Sequence, residues 1–295
     1  MRFADARVAA SFLRVRPTSL GILGLGALGG ALARQAKRAG IATVIGWTPE
    51  PIVGGLAVRQ GALDDTLQTP REVAARAEVV VLAMPPRAAV ALLESLGQLR
   101  SCSAYFTDTA LVKRGAVAAA ERAGLGDRFA GSHPLVRAEG GFEYARADLF
   151  RGATVYVTPT RTGEGAAREI AHFWESVYEA HTVLLDAAAH DAQLALTEQV
   201  PQATAALLAR LLAECLPPGA TLSEAARETT RAALADPTQW AEALVENRDR
   251  LRPALAALRG PLETLDRALD DGDVAAVREW LNVAARWRRG IEGGA

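Results

Sequence analysis

The chain predicts a parallel, doubly wound α/β sheet followed by an all-α domain, and three observations carry that reading. Short apolar runs alternate with helical patterns through the first half. Gly24, Gly26 and Gly29, in GxGxxG spacing, lie between the first apolar run and the first helical pattern. From Ala187 onward the apolar spacing stays near a helical period almost throughout.

Leu20 to Leu25 reads as the first strand and 28–39 as its helix. Gly24 permits the tight turn, Gly26 leaves room for backbone to approach a pyrophosphate, and Gly29 lets the helix lie close on the sheet. With Ala27 and Leu28 these residues form the candidate cofactor turn of a Rossmann-type domain. The alternative is a glycine-rich turn that only packs a helix on a strand.

Ala42 to Trp47 is the second strand, closed by a turn at Thr48, Pro49, Glu50 and Pro51. Thr69, Pro70 and Glu72 start a helix. VVVLAMPP after Glu78 has the continuous apolar character of a strand buried on both faces, with Met84 and Pro85 at its end. Ala104 to Thr107 is another strand, ending at Asp108; GSHPL at 131–135, ATVYVTP at 153–159, a helix from about Gly163 to Tyr178 and the strand HTVLLD at 181–186 follow.

Helical segments at 187–213, 222–234, 237–257 and 261–288 are separated by Pro217-Pro218-Gly219, Asp236-Pro237 and Gly260-Pro261. The boundary falls near Asp186, giving a dinucleotide-binding domain over 1–186, with an extension over 1–18, and a helical domain over 187–295. The apolar faces of these helices fit a homodimer, or packing within one chain.

At 295 residues the chain can bury two cores. A composition 50% hydrophobic and 23% charged reads as soluble, and a formal charge of −1 gives no general attraction for nucleic acid or an anionic membrane. No apolar run reaches the roughly 18 residues of a membrane helix, and the start lacks a signal-peptide core. Cys102 and Cys215 lie far apart without metal-ligand spacing. Together these features predict a cytoplasmic protein without a metal.

Five segments in order resemble the prephenate and arogenate dehydrogenases of tyrosine biosynthesis: GILGLGALGGALA at 21–33, VVVLAMPP at 79–86, TDTALVK at 107–113, GSHPL with Glu139, Gly141, Leu149-Phe150 and VTPT at 157–160, and His190-Asp191. Thr230-Arg231 and Asp236-Pro237 with Trp240 match that family's helical domain. The resemblance implies oxidative decarboxylation of a cyclohexadienyl ring with a nicotinamide cofactor, in a cleft between the domains. It makes His133 the candidate catalytic base, with Arg231 toward the substrate; Gln199 and Gln202, at positions where the family has histidines, can still hydrogen-bond it, and Arg137, where the family has a small residue, reads as a relocated carboxylate partner or as a solvated turn residue. The candidate cofactor residues are Gly24, Gly26, Ala27, Leu28, Gly29, Thr48, Met84, Pro85 and Asp108.

The chain also departs from the family pattern. Leu111 stands where a serine is usual, Gln199 and Gln202 replace two histidines around Pro201, Glu198 would repel a carboxylate, and Ala241 replaces an arginine. These changes favour a less anionic substrate than prephenate, with arogenate the example. Thr48 replaces the usual ribose-binding acid, with Glu50 two residues on, so the cofactor reads as NAD or NADP with a lean to NADP. A related 3-hydroxyacid dehydrogenase would need a lysine in the helical domain, and none follows Lys113. A catalytically silent dinucleotide-binding protein is the alternative that the lost polar residues favour and His133 opposes.

Overall fold

The computed structural model describes residues 16–97, 102–138 and 140–292. Residues 1–15 of the expected extension, and Glu139, lie outside the described residues.

Strand β1 (Ser19–Leu23) pairs in parallel with β2 (Thr43–Trp47) on one side and β4 (Val79–Leu82) on the other. With β3 (Asp65–Thr66) and β5 (Tyr105–Asp108) they form a parallel sheet in the order β3-β2-β1-β4-β5. Every residue of β4 is buried, as its unbroken apolar run predicts. The helices α1 (Ala27–Arg38), α2 (Pro51–Arg59), α3 (Pro70–Arg76) and α4 (Pro86–Leu96) connect or flank these strands, and α5 (Arg114–Arg122) follows β5. Thr69 caps α3 by accepting from the Glu72 N–H at 3.3 Å.

Neither α2 nor β3 is in the sequence reading, which has only a turn at 48–51. The pair Gly54-Gly55 masks the helical pattern of α2. Gly54 lets that helix lie close to the sheet edge, where an added Cβ would meet Thr66 Cγ2 at 3.1 Å.

The last strands lie outside that parallel sheet. β6 (Ala130–Pro134), β7 (Thr154–Pro159) and β8 (His181–Leu184) form a separate mixed sheet, with β6 and β7 antiparallel and β7 and β8 parallel. Between β6 and β7 the described helical structure is one short 3₁₀ turn, Phe142–Tyr144, so the chain returns without a crossover helix. Helix α6 (Glu164–Tyr178) supplies the crossover from β7 to β8. Its Trp174 is fully buried and donates through Nε1 to Ser132 Oγ at 2.9 Å, fixing β6 against the aromatic core.

Downstream lie α7 (Ala187–Leu194), a π turn (Ala195–Gln199), α8 (Val200–Cys215), α9 (Glu224–Thr230), a 3₁₀ turn (Arg231–Leu234), α10 (Pro237–Glu246), α11 (Arg248–Ala257), α12 (Arg259–Asp270) and α13 (Val274–Glu292). Two expected long helices are therefore split. One breaks at Asn247; the other breaks at a turn where Gly272 takes a left-handed φ of 63°. Asp186 caps α7 by accepting from the Ala188 and Ala189 N–H groups. Leu207, Leu211, Leu262, Leu269, Leu281 and Trp287 remain exposed in one chain. Among the described residues no helix is long and apolar enough to cross a membrane, and no cluster of three or more metal-binding side chains occurs.

Candidate active site

β6 carries His133 opposite Tyr156 of β7, and buries its side chain to 3% exposure. Its Nδ1 lies 3.0 Å from His190 Nε2, and His190 Nδ1 lies 2.8 Å from Asp191 Oδ1. Desolvation raises the affinity of Asp191 for a proton. Hydrogen bonds from His190 and the Lys113 and Arg114 N–H groups nevertheless hold the carboxyl below its usual range.

An ionised carboxylate can only accept, so His190 donates from Nδ1 and its Nε2 is the acceptor. His133 must then donate from Nδ1, which leaves its Nε2 as the lone-pair nitrogen. Burial, then the neighbouring His190 and Lys113, lower the His133 pKa well below the usual histidine value and keep that nitrogen unprotonated.

The carboxylate of Asp191 is itself held from four directions. Oδ1 also accepts from the Lys113 N–H at 2.8 Å, and Oδ2 accepts from both the N–H and Nε of Arg114 at 3.1 Å. The Arg114 guanidinium continues to Asp249 at 2.6 Å and to Asn247 at 2.9 Å. The hydrogen bond from Arg114 draws the Asp249 pKa down to about 2. These residues tie the end of the first sheet to α7, α10 and α11. Sequence reading missed Arg114, Asn247 and Asp249, because their partners are far apart in the chain.

Asp108 has another task than the cofactor contact expected of it. It is fully buried; Oδ2 takes Lys113 Nζ at 2.6 Å and the Ala110 N–H at 3.0 Å, while Oδ1 takes the Ser132 N–H at 3.3 Å. Lys113 Nζ also donates to the Ser132 carbonyl at 2.6 Å. The enclosed pair braces the strand bearing His133 and offers no free oxygen to a ligand.

The π turn before α8 brings Glu198 to His133, with Oε1 3.8 Å from Nε2. Pro201 lacks the N–H that regular helical bonding would use here, which accounts for a local widening at this place. Desolvation pushes the Glu198 pKa up to about 7, while His133 is pushed toward its neutral form, so the two do not form a resting ion pair.

Gln199 is fully buried, donates to the Ala243 carbonyl at 2.9 Å and accepts from Asn247 at 2.8 Å. Its amide is a structural tie, contrary to the expected substrate contact. Gln202 is 9% exposed and its amide has no hydrogen-bond partner among the described residues. Leu111 packs with Val112, Leu194 and Ala243, an apolar junction between sheet and helices. Arg231 lies exposed on the 3₁₀ turn packed against α8, and no hydrogen bond or ion pair joins it to His133. Arg137 lines a cleft of about 220 Å³ with Ala27, Tyr144, Arg146 and Leu149, which puts it at the head of α1.

That head is built to receive an anion. The first turn of α1 has neither a side-chain cap nor an acidic residue, so its N–H groups are not taken by the chain's own side chains. The three glycines have separable tasks. Gly24 has a φ of 99°, and a Cβ there would strike the Ala83 carbonyl; a Cβ at Gly29 would strike the Gly24 carbonyl. A Cβ at Gly26 would meet nothing within 4 Å, so the space above it is open. Met84 stands beside Gly24 at the end of β4, and Thr48 follows β2 directly. Thr48 Oγ1 donates to Glu50 Oε2 at 2.7 Å, holding a carboxylate at that strand end. The arrangement fits a dinucleotide lying across the carboxyl ends of β1, β2 and β4.

Comparison with known proteins gives the same assignment. Residues 32–184 match the nucleotide-binding domain of prephenate dehydrogenase, and residues 186–283 match its dimerization domain. A cyclohexadienyl dehydrogenase of Zymomonas mobilis is 26% identical over 264 residues, covering 86% of this chain and 90% of the relative. NovF of Streptomyces niveus, named as a probable prephenate dehydrogenase, is 30% identical over 286 residues, covering 92% and 75%. The crystal structure of Aquifex aeolicus prephenate dehydrogenase, in complex with hydroxyphenyl propionate and NAD⁺, has the same fold with a TM-score of 0.84 at 24% identity, covering 95% of this chain and all of that one. The chain belongs to the prephenate dehydrogenase family and is a dehydrogenase with a nucleotide-binding domain followed by a helical dimerization domain.

Proposed function

We propose that the chain catalyses oxidative decarboxylation of a cyclohexadienyl carboxylate of the prephenate or arogenate type, with His133 as the base. The observation that carries this reading is the His133–His190–Asp191 relay, which leaves one defined nitrogen, Nε2, able to take a proton. A bound nicotinamide supplies the hydride acceptor. His133 Nε2 takes the proton from the heteroatom on the ring carbon that loses hydride. Positive charge gained there spreads toward Asp191 through two hydrogen bonds in a buried setting, where such stabilisation is strongest. Loss of carbon dioxide then leaves an aromatic ring.

Gly26, Ala27, Leu28 and the frame set by Gly24 and Gly29 would hold the pyrophosphate, with Met84 and Pro85 beside them. The carboxylate of Glu50, tied to Thr48, would accept ribose hydroxyls and repel a 2′-phosphate, which favours NAD over the NADP suggested by sequence. Gln202, Arg137 and Arg231 are the remaining polar side chains proposed to face ligands. The division near Asp186 and the exposed leucines of α8, α12 and α13 support two domains and a homodimer. Turnover of prephenate and arogenate with NAD and NADP, followed as reduced nicotinamide, tests the reading.

A further inference from the structure

With Glu198 ionised, two acceptors with no donor between them face one point in this site. The relay makes His133 Nε2 a lone-pair nitrogen, and Glu198 Oε1 lies 3.8 Å away. Glu198 accepts no hydrogen bond among the described residues. The nearby cations are committed elsewhere: Lys113 to Asp108, and Arg114 to Asp191 and Asp249.

An atom about 2.8 Å from each acceptor sees them roughly 85° apart, within reach of two bent bonds from one tetrahedral centre. A ring hydroxyl has a single proton. If it donates to Nε2, its lone pairs face an ionised Glu198 at close range. An ammonium has three protons and a positive charge, so it can donate to both acceptors and compensate the carboxylate.

Building on the proposed reaction, we propose that Glu198 and His133 together recognise an amine, carried as ammonium, on the ring carbon that loses hydride. The substrate class is then an amino-cyclohexadienyl carboxylate rather than a hydroxy one. The step balances as follows. One ammonium proton goes to His133 Nε2, and the hydride on the same carbon goes to nicotinamide, leaving a carbon–nitrogen double bond. The carbon–carboxylate bond then breaks; its electron pair closes the aromatic ring and returns the nitrogen to a neutral aryl amine, with carbon dioxide released. Burial also raises the proton affinity of Glu198, as expected for a carboxyl awaiting a cationic partner.

The test uses the full chain with NAD and two substrates, prephenate and its analogue with an amine in place of the ring hydroxyl. Binding of each substrate is measured by calorimetry alongside turnover, for the wild type and Glu198→Gln. The wild type is expected to favour the amine at least tenfold in both measurements. Glu198→Gln, whose amide can donate to a hydroxyl oxygen, should lower affinity for the amine by roughly 10–100-fold and raise affinity for prephenate. If both substrates turn over and Glu198→Gln leaves their ratio unchanged, this proposal is overturned and the dehydrogenase reading stands. If neither turns over but the amine binds more tightly and Glu198→Gln removes that preference, the recognition stands and the reaction assignment falls. Failure of both substrates to bind overturns both.

Discussion

His133 and His190 meet edge to face, with Nδ1 and Nε2 3.0 Å apart and the ring planes at 80°. Through this contact the Asp191 carboxylate fixes which nitrogen of His133 remains open. An Asp191→Asn side chain would turn its oxygen toward the Arg114 guanidinium and its amide toward His190. That reverses both imidazole tautomers and puts a proton on His133 Nε2. We expect kcat to fall by roughly 10²–10⁴-fold with KM changed only a few-fold, as for loss of a tautomer-fixing carboxylate. In the wild type the acid limb of kcat, read once substrate has engaged Glu198, should lie below pH 6.5, because burial lowers the His133 pKa. A wild-type limb above that value, or a kcat unmoved in Asp191→Asn, would contradict the relay.

Gly26 is the glycine whose substitution separates binding from folding. A Cβ there meets no heavy atom within 4 Å beyond its chain neighbours, so Gly26→Val should fold and melt like the wild type while losing cofactor affinity by about tenfold or more. Gly29→Val should instead destabilise the protein, since its Cβ would overlap the Gly24 carbonyl. Fluorescence titration with NADH and thermal melts read the two effects; normal cofactor affinity in folded Gly26→Val would remove the glycine turn from the site.

The carboxylate held by Thr48 sets the expected cofactor choice. Glu50→Ala should raise the NADP-to-NAD ratio of kcat/KM by about tenfold, equivalent to about 1.4 kcal/mol, by removing repulsion of a 2′-phosphate. Thr48→Asp should move the ratio the other way. Steady-state rates with both cofactors decide this, and an unchanged ratio in both variants would show that the ribose is read elsewhere.

Glu198 should make stability depend on pH. Its proton affinity is raised from an unperturbed pKa of 4.5 to about 7, so the folded state binds a proton that the unfolded state releases between these values. The favourable contribution is complete below pH 4.5 and lost as pH rises through 7. Glu198→Gln should therefore gain on the wild type by about 1–3 kcal/mol between pH 5 and pH 8. Urea unfolding at the two values measures this gain; an equal effect of the substitution at both would contradict it.

Much of the fold is legible because local signals agree. The glycine turn, the apolar run of β4 and the Thr69 cap each point to one structure, and each occurs where expected. What sequence missed depended on distant pairing: the antiparallel return of β7, the two-residue β3, and the fate of Asp108 and Gln199. Polar residues in a site pattern look alike whether they face a ligand or a buried lysine, and the sequence around Asp108 does not show that its oxygens are occupied. His133 was legible as a candidate from its GSHPL setting. The nitrogen proposed to act was not, because it is fixed by His190, 57 residues away. Glu198 was visible as an odd charge near Pro201, but only the π turn shows that it meets His133.

The central claim is that His133 Nε2 is the base of a nicotinamide-dependent oxidative decarboxylation. The most direct measurement is single-turnover formation of NADH by wild type and His133→Asn, both saturated with NAD and a cyclohexadienyl substrate: prephenate, arogenate or the ring-amine analogue. The account predicts NADH formed in step with carbon dioxide by the wild type. It predicts a rate lower by roughly 10²–10⁴-fold in His133→Asn, with NAD affinity retained. Equal rates in the two proteins, or NADH formed without carbon dioxide, would contradict it.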